Sequence, residues 1–285
     1  MLRYTKKVSS TNDGMLLSSF LRLAFPLLPD SAVQKAFRSR DVKIDGQRVD
    51  KKAVVHDKNI IEIYTQAGQI QPEIIYQDKI MAVINKPAGI SSDSDNPDEY
   101  TLQKWAQEAF CEAEHQPAIC HRLDNQTSGL LLISLNSKIH QEILTMFKER
   151  KVWKEYTCLT VGTPHPASAL RKAFLLKDSS AGKVRVYSVP RKEAQEIITE
   201  YTVTEPGDVS RVKVILHTGR THQIRAHMSF LGFPVLGDDV YGSREANRIY
   251  KAKKLCLCAT GLRLQKEAAV LAGLNDRLFQ IQPPF

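Results

Sequence analysis

Asp124 stands in CHRLDNQTSGLLLIS (residues 120–134), two residues after Arg122 and just before Thr127, Ser128 and Gly129. Five of the six residues that follow Gly129 are apolar, so the loop carrying this carboxylate is anchored to a strand that must be buried. Such anchoring gives an active-site carboxylate a fixed direction. An isolated Asp at a strand edge is also a common turn former, so residues elsewhere have to decide. Tyr156 lies in KVWKEYTCLTVG (151–162), which alternates as a strand. Arg225 lies in THQIRAHMSFLG (221–232), which reads as a helix capped by Thr221 and ended near Gly232. The core stripe of that helix is Ile224, Met228 and Leu231, with Arg225 about 100° from Ile224 at its edge. A guanidinium there either aims into a cleft or serves as a structural ion-pair partner. Tyr156 taken alone is a core aromatic.

Several other chemistries lack their residues. Ser128 has no G-x-S-x-G elbow, and there is no H-E-x-x-H, P-loop or G-x-G-x-x-G. His217, His222 and His227 are spaced by five, which does not gather them on one helix face. Cys256 and Cys258 form a C-x-C without a second pair at zinc spacing and read as strand residues. No metal or nucleotide cofactor is expected. The 5 cysteines are an odd, scattered set, which fits reduced thiols in a cytosol better than a disulfide framework.

The 285 residues are 42% hydrophobic and 25% charged, ordinary for a globular protein and long enough for one large and one small domain. No apolar run approaches the roughly 20 residues a membrane helix needs. MLRYTKKVSSTNDGM has no apolar core of the signal-peptide kind, so a cytoplasmic protein without membrane contact is expected. The net charge of +9 favours a polyanionic partner, since Lys and Arg that neutralise phosphates release counterions. Solubility alone is the plainer reading of that charge.

Residues 14–66 read as a separate unit. Leu16, Leu17, Phe20, Leu21 and Ala24 recur at helical spacing until Pro26 and Pro29 break it. Asp30 or Ser31 can cap a second helix with Val33, Ala36 and Phe37 on its apolar side. Lys35, Arg38 and Arg40 fall on its other side or just beyond, and Lys43 follows. VKIDGQRV predicts a hairpin turning at Asp45-Gly46, and NIIEIY a closing strand. This pattern resembles the S4-type RNA-binding module, which implies RNA contacts for Lys35, Arg38, Arg40 and Lys43; a solvated helix face is the alternative. AGQIQP (67–72) reads as a linker, after which residues 72–285 form the larger domain. EIIYQD and KIMAVINKPAGI give its first strands, and Lys86-Pro87 a loop packed beside the cleft. SSDSDNPDE (91–99) is polar enough for a mobile loop, and Asn136 or Ser137 caps a helix after the Gly129 strand.

The stretch HRLDNQTSGLLLIS, from His121, resembles the H-R-L-D-x-x-T-S-G-L motif of the RluA-type RNA pseudouridine synthases. The resemblance runs from KIMAVINKPAGI through KEYTCLTVG to TGRTHQIRAHMSFLGFPVLGDDVYG, over roughly residues 72–265. It implies an α+β fold, a mixed and largely antiparallel bent sheet with flanking helices, and conversion of uridine to pseudouridine in structured RNA. Large-subunit ribosomal RNA is the favoured target and transfer RNA the runner-up. Carried onto this sequence, the resemblance makes Asp124 the catalytic aspartate, Tyr156 the ring that stacks on the target base, and Arg225 the partner of the aspartate. Leu257, or else Leu255, is the apolar residue under the uracil, and Arg122 lies near the displaced base. His222 is placed beside the substrate, although it and His121 also suit scaffold hydrogen bonds.

These roles agree with what the reaction needs. It detaches uracil from C1′, turns it and rejoins it through C5, with no outside reagent. A carboxylate must be ionised to attack C1′ or to take a ribose proton, and a nearby guanidinium favours that form and fixes its direction. An apolar wall excludes water and strengthens the contact. The base must first leave its stack, at a cost of a few kcal/mol.

Three places depart from the family pattern. Asn125-Gln126 replaces a pair that often includes a charge, SSDSDN follows NKPAGI where apolar residues and a histidine are usual, and Cys258 stands where a histidine is usual. A monomer acting on RNA is expected. The rival readings are an RNA-binding or ribosome-assembly protein without catalysis, and a hydrolase using Asp124 with water, which would release free uracil.

Overall fold

The computed structural model of the chain describes residues 1–178, 182–264 and 277–285. They divide into two compact units. The first contains Met1–Glu73 and also Gly89–Cys111; the second contains Ile74–Ala88 and Glu112–Phe285.

The first unit contains β1 (Leu2–Lys7), α1 (Leu17–Ala24), α2 (Asp30–Arg38), β2 (Val42–Ile44), β3 (Gln47–Arg48), β4 (Ile60–Thr65) and α3 (Leu102–Ala109). Its sheet runs β1-β4-β2-β3 and is antiparallel throughout. The amphipathic faces of α1 and α2 bury Leu17, Phe20, Leu21, Ala24, Val33 and Ala36 against Val42, Ile61 and Ile63. Each large apolar side chain so buried contributes about 1.5–3 kcal/mol. The β2–β3 hairpin turns at Asp45 (φ 49°) and Gly46 (φ 79°), the double positive φ that an Asp-Gly turn supplies. Asp30 is the first residue of α2 rather than a side-chain cap, for which Pro29 takes the place.

This unit is wider than residues 14–66. β1 pairs along its whole length with β4, from Leu2 opposite Thr65 to Lys7 opposite Ile60. The strand escapes pattern reading because it lies at the sheet edge and shows mostly polar, exposed residues, as edge strands do. The 67–72 stretch is also held within the unit: the Ile70 N–H donates to Leu27, and the Trp105 indole donates to Gln71. The 91–99 segment is a folded turn assembly rather than a loop in solvent. Asp98 is buried and accepts from the backbone N–H and hydroxyl of Ser9 (2.8 and 2.9 Å) and from the Asn12 amide (2.9 Å). Asn12 and Asn96 exchange amide hydrogen bonds at 3.0 and 3.1 Å. Ser, Asp and Asn side chains here bond the backbone and one another, which is why a polar run folds inward.

The second unit is built on β5 (Glu73–Gln77), β6 (Met81–Lys86), β7 (Ala118–Ile119), β8 (Ser128–Ser134), β9 (Val152–Val161) and β10 (Ser168–Asp178). The chain continues through β11 (Lys183–Tyr187), β12 (Gln195–Glu205), β13 (Val209–Leu216), β14 (Leu257–Leu264) and β15 (Leu278–Gln280). Its helices are α4 (Ser137–Lys148), α5 (Gln223–Phe230) and α6 (Arg244–Ile249). Among the described residues they make an eleven-stranded sheet ordered β11-β10-β12-β13-β9-β14-β8-β6-β5, with β15 on β14 and β7 on β8. β14 and β8 are parallel. The pairs β6–β8, β9–β14, β9–β13, β12–β13, β10–β12 and β10–β11 are antiparallel. This is the mixed, largely antiparallel sheet that the family resemblance implies.

β8 is buried at all seven positions, as a central strand covered on both faces must be. α4 starts at Asn136, whose side chain accepts from the N–H groups of Lys138 and Ile139. It packs Ile139, Ile143 and Met146 on Met81, Val83, Leu130 and Leu132. Gly129 makes the start of β8 possible. Its φ is +117°, and a Cβ there would overlap the backbone of Ala259 on β14.

Candidate active site

Asp124 sits on the loop between β7 and β8, where its own carbonyl accepts from the Thr127 N–H at 3.0 Å to close a turn. The loop is fixed on the β6 side by Lys86, which is fully buried opposite Gly129 in the β6–β8 pairing. Its ammonium donates to the carbonyls of Pro87 and Asn125, each at 3.1 Å. Burial lowers the Lys86 pKa to about 7, against the opposing pull of the Asp124 charge. His121 holds the loop on the other side: its Nε2 accepts from the Leu132 N–H at 3.1 Å, and its ring lies 4.7 Å from that of Phe147. That acceptor role requires the neutral ring, and burial holds the pKa of His121 well below the ordinary histidine value.

Arg225 comes from α5, which is buried almost all round, at Gln223, Ile224, Arg225, Ala226, His227 and Met228. Leu231, expected in the core stripe, is only half-buried just past the helix. Thr221 is not the cap. His222 takes that position in the left-handed region (φ 54°, ψ 20°), and the Gln223 side-chain oxygen accepts from the Arg220 N–H and the Thr218 hydroxyl. A left-handed non-glycine residue next to a candidate site is a strained feature held by its surroundings.

The guanidinium of Arg225 presents Nη1 to Asp124 Oδ2 at 3.4 Å. Its remaining fork is occupied by a residue the sequence reading did not single out. Nε donates to Asp238 Oδ2 at 2.7 Å and Nη2 to Asp238 Oδ1 at 3.0 Å, a bidentate pair with both side chains buried. Asp238 also accepts from the N–H groups of Val240 and Tyr241. Burial opposes its charge, but the Arg225 and backbone hydrogen bonds outweigh burial and hold its pKa below the ordinary carboxylate value. His222 Nε2 lies 3.9 Å from Asp124 Oδ2, and its Nδ1 is 2.9 Å from the Tyr241 hydroxyl. The sequence signal for Asp238 was GDDVYG: a buried arginine needs a buried acid, and this acid follows a tight glycine turn.

Tyr156 is buried on β9, opposite Val214 on β13 and Ala259 on β14. Burial first, and then the charge of Asp124, raise the pKa of its phenol well above the ordinary value. Leu257 pairs with Cys158, two residues along from Tyr156, so strand alternation puts Leu257 and Tyr156 on one face. Leu255 is buried as well but precedes β14. Cys258 pairs with Thr157 and with Ser128, so the departure at that position falls in the strand register behind the loop. Arg122 is exposed beside the loop. The arrangement therefore joins an acid to a guanidinium, an imidazole and a phenol, with an apolar side chain on the phenol's face. Such a group can hold an ionised carboxylate against a planar, uncharged ring.

In the first unit, Lys35, Arg38 and Arg40 are exposed along and just beyond α2, while Lys43 lies half-buried over the Tyr64 ring at 5.1 Å. Lys35 and Arg38 line a groove of about 570 Å³ with Ser31, Ser39, Tyr64 and Gln66; Arg40 and Lys43 do not. Among the described residues, no helix is long and apolar enough to cross a membrane.

A profile of the RNA pseudouridylate synthase family matches residues 80–230. The Dual-specificity RNA pseudouridine synthase RluA of Escherichia coli is 36% identical over 200 residues, covering 68% of this chain and 87% of its own. The Ribosomal large subunit pseudouridine synthase D of Borreliella burgdorferi is 28% identical over 286 residues, covering 93% of this chain and 86% of its own. A solved structure of Human RNA Pseudouridylate Synthase Domain Containing 1 superposes with a TM-score of 0.61 at 27% identity, covering 78% of this chain and 86% of its own.

Proposed function

The chain belongs to the RNA pseudouridylate synthase family and is an enzyme that isomerises uridine to pseudouridine in RNA; we propose that Asp124 is its catalytic carboxylate, with Tyr156 and Arg225 as partners in catalysis. The observation that carries this reading is the 3.4 Å contact between Arg225 Nη1 and Asp124 Oδ2. One N–H aimed at the carboxylate orients it, while the bidentate pairing of Arg225 elsewhere leaves its second oxygen clear of that guanidinium.

The extruded uracil stacks on Tyr156 and rests against Leu257, with His222 and Arg122 contacting the nucleotide. Asp124 either bonds to C1′ or takes the proton from C2′, and both routes need its ionised form. The bond from C1′ to N1 breaks, the base turns, and C1′ joins C5. The hydrogen leaves C5 and N1 gains one, so no outside reagent is consumed. Stacking on an aromatic face holds any pyrimidine, and pocket hydrogen bonds select uracil.

The N-terminal unit is read as S4-like on the short helices α1 and α2, its antiparallel sheet and its exposed basic residues. Lys35, Arg38, Arg40 and Lys43 hold the RNA backbone there, as the net charge of +9 favours. The target is large-subunit ribosomal RNA, a reading supported by the name of the Borreliella burgdorferi relative. The protein acts as a cytoplasmic monomer.

RNA carrying uridine tritiated at C5 tests the proposal. Wild-type protein should release tritium, and Asp124→Asn should bind RNA with unchanged affinity and release none. A wild-type rate in Asp124→Asn would remove Asp124 from its role. Mapping pseudouridines in cells lacking the protein should show loss at a large-subunit ribosomal position, whereas a lost transfer RNA site would overturn the choice of target.

A further inference from the structure

We propose that Asp238 and Tyr241 are positioning residues for the isomerisation: together they aim Arg225 and His222 at Asp124 and tie both to the β10–β11 hairpin. The inference rests on the assignment of Asp124 as the catalytic carboxylate.

Arg225 and His222 both approach the same oxygen, Asp124 Oδ2, at 3.4 and 3.9 Å. Neither is held there by Asp124 alone. Arg225 is clamped at two nitrogens by Asp238, so rotation of the guanidinium about its stem is blocked and Nη1 is left pointing at the loop. The Tyr241 ring lies 5.4 Å from the guanidinium carbon and forms part of the same enclosure. His222 is fixed through its other ring nitrogen, Nδ1, by the Tyr241 hydroxyl at 2.9 Å. A hydroxyl donated to Nδ1 leaves the proton of the neutral ring on Nε2, the atom that faces Asp124.

Asp238 and Tyr241 are themselves one device. The Asp238 carboxylate accepts from the Tyr241 backbone N–H at 2.9 Å, and its own carbonyl accepts from the Asn247 amide at 3.0 Å. Gly237 precedes it at φ 78°, where a Cβ would overlap the carbonyl of Lys254, so the chain can make this turn only with glycine. The Tyr241 hydroxyl accepts from the Val184 N–H on β11 at 2.9 Å, and the ring packs with Val184 and Ala226. A displacement of β11 is thus transmitted through one phenol to His222 and, through the Tyr241 backbone, to the carboxylate that holds Arg225.

Single-turnover rates on tritiated RNA, measured beside RNA affinity, test this. Asp238→Asn keeps the shape but removes the charge that grips Arg225. It should slow turnover on the order of 100-fold with RNA affinity within about twofold, as expected for a misplaced catalytic group. The slowing should largely vanish in an Arg225→Met background, because a residue acting only through the Arg225 guanidinium has nothing left to orient. Tyr241→Phe removes a single oxygen and serves if Asp238→Asn does not fold. It should slow turnover about tenfold in the wild-type background and less than about twofold in His222→Asn. Equal slowing in both backgrounds, or loss of RNA affinity with turnover intact, would overturn the inference. Wild-type turnover in Asp124→Asn would instead sink the reading on which it rests.

Discussion

Lys86 donates from its ammonium to the carbonyl of Asn125 at 3.1 Å, which fixes the residue directly after Asp124 from the end of β6. A lysine with no exposed surface is expensive to bury, and its place at this loop is the reason to expect a functional consequence. Lys86→Met keeps the length and apolar stem but cannot hold the carbonyl. Single-turnover rates should fall about 10- to 100-fold while RNA affinity stays within about twofold. An unchanged rate in a folded Lys86→Met protein would show that the Asp124 loop is held without it.

Acid should destabilise the second unit through His227. This ring is almost wholly buried, its Nδ1 lies 2.9 Å from the Thr199 hydroxyl, and burial together with the charge of Arg171 lowers its pKa to about 4. The unfolded value is about 6.5, so the unfolded chain binds the proton first. The contribution of His227 is therefore fully present above about pH 6.5 and is lost as pH falls toward 4. Denaturant unfolding between pH 7 and pH 4 should show a fall that is shallower in His227→Asn by about 2–3 kcal/mol. Identical slopes in the two proteins would exclude His227 as the source.

Gly129→Ala should be among the most damaging single-methyl changes in this chain. The added carbon meets Ala259 backbone on the parallel partner strand, and φ +117° is unfavourable for any L side chain. The expected loss is about 3 kcal/mol or more, read as a shift of the urea midpoint, with turnover falling because β8 carries the Asp124 loop. A variant as stable as wild type would mean that β8 and β14 can separate locally at no cost.

What the sequence disclosed and what it withheld follow from range. Asp124, Tyr156 and Arg225 lie in local patterns with a strong period or motif, and their strands and helix form where the patterns put them. The Asp45-Gly46 turn and the Asn136 cap are equally local. Asp238 was hidden because its meaning lies in a pairing thirteen residues away across a loop, which no period marks. β1 was hidden because an edge strand needs few apolar residues. His222 displaced Thr221 from the start of α5 because Gln223 satisfies the Arg220 N–H and Thr218 hydroxyl in a way that no capping pattern describes.

The 89–111 segment leaves the second unit after the NKPA stretch and folds with the first, where Asp98 is the buried acceptor for Ser9 and Asn12. In Asp98→Ala those donors lose their acceptor inside the unit, at a cost of about 1–3 kcal/mol. Asp98→Asn keeps one acceptor oxygen and should lose less. Limited proteolysis should accordingly cut within residues 91–100 faster in Asp98→Ala than in Asp98→Asn, and slowest in wild type. Cutting at one rate in all three would mean that the polar turns hold this segment without the buried carboxylate, leaving Asn12 and Asn96 as its anchor.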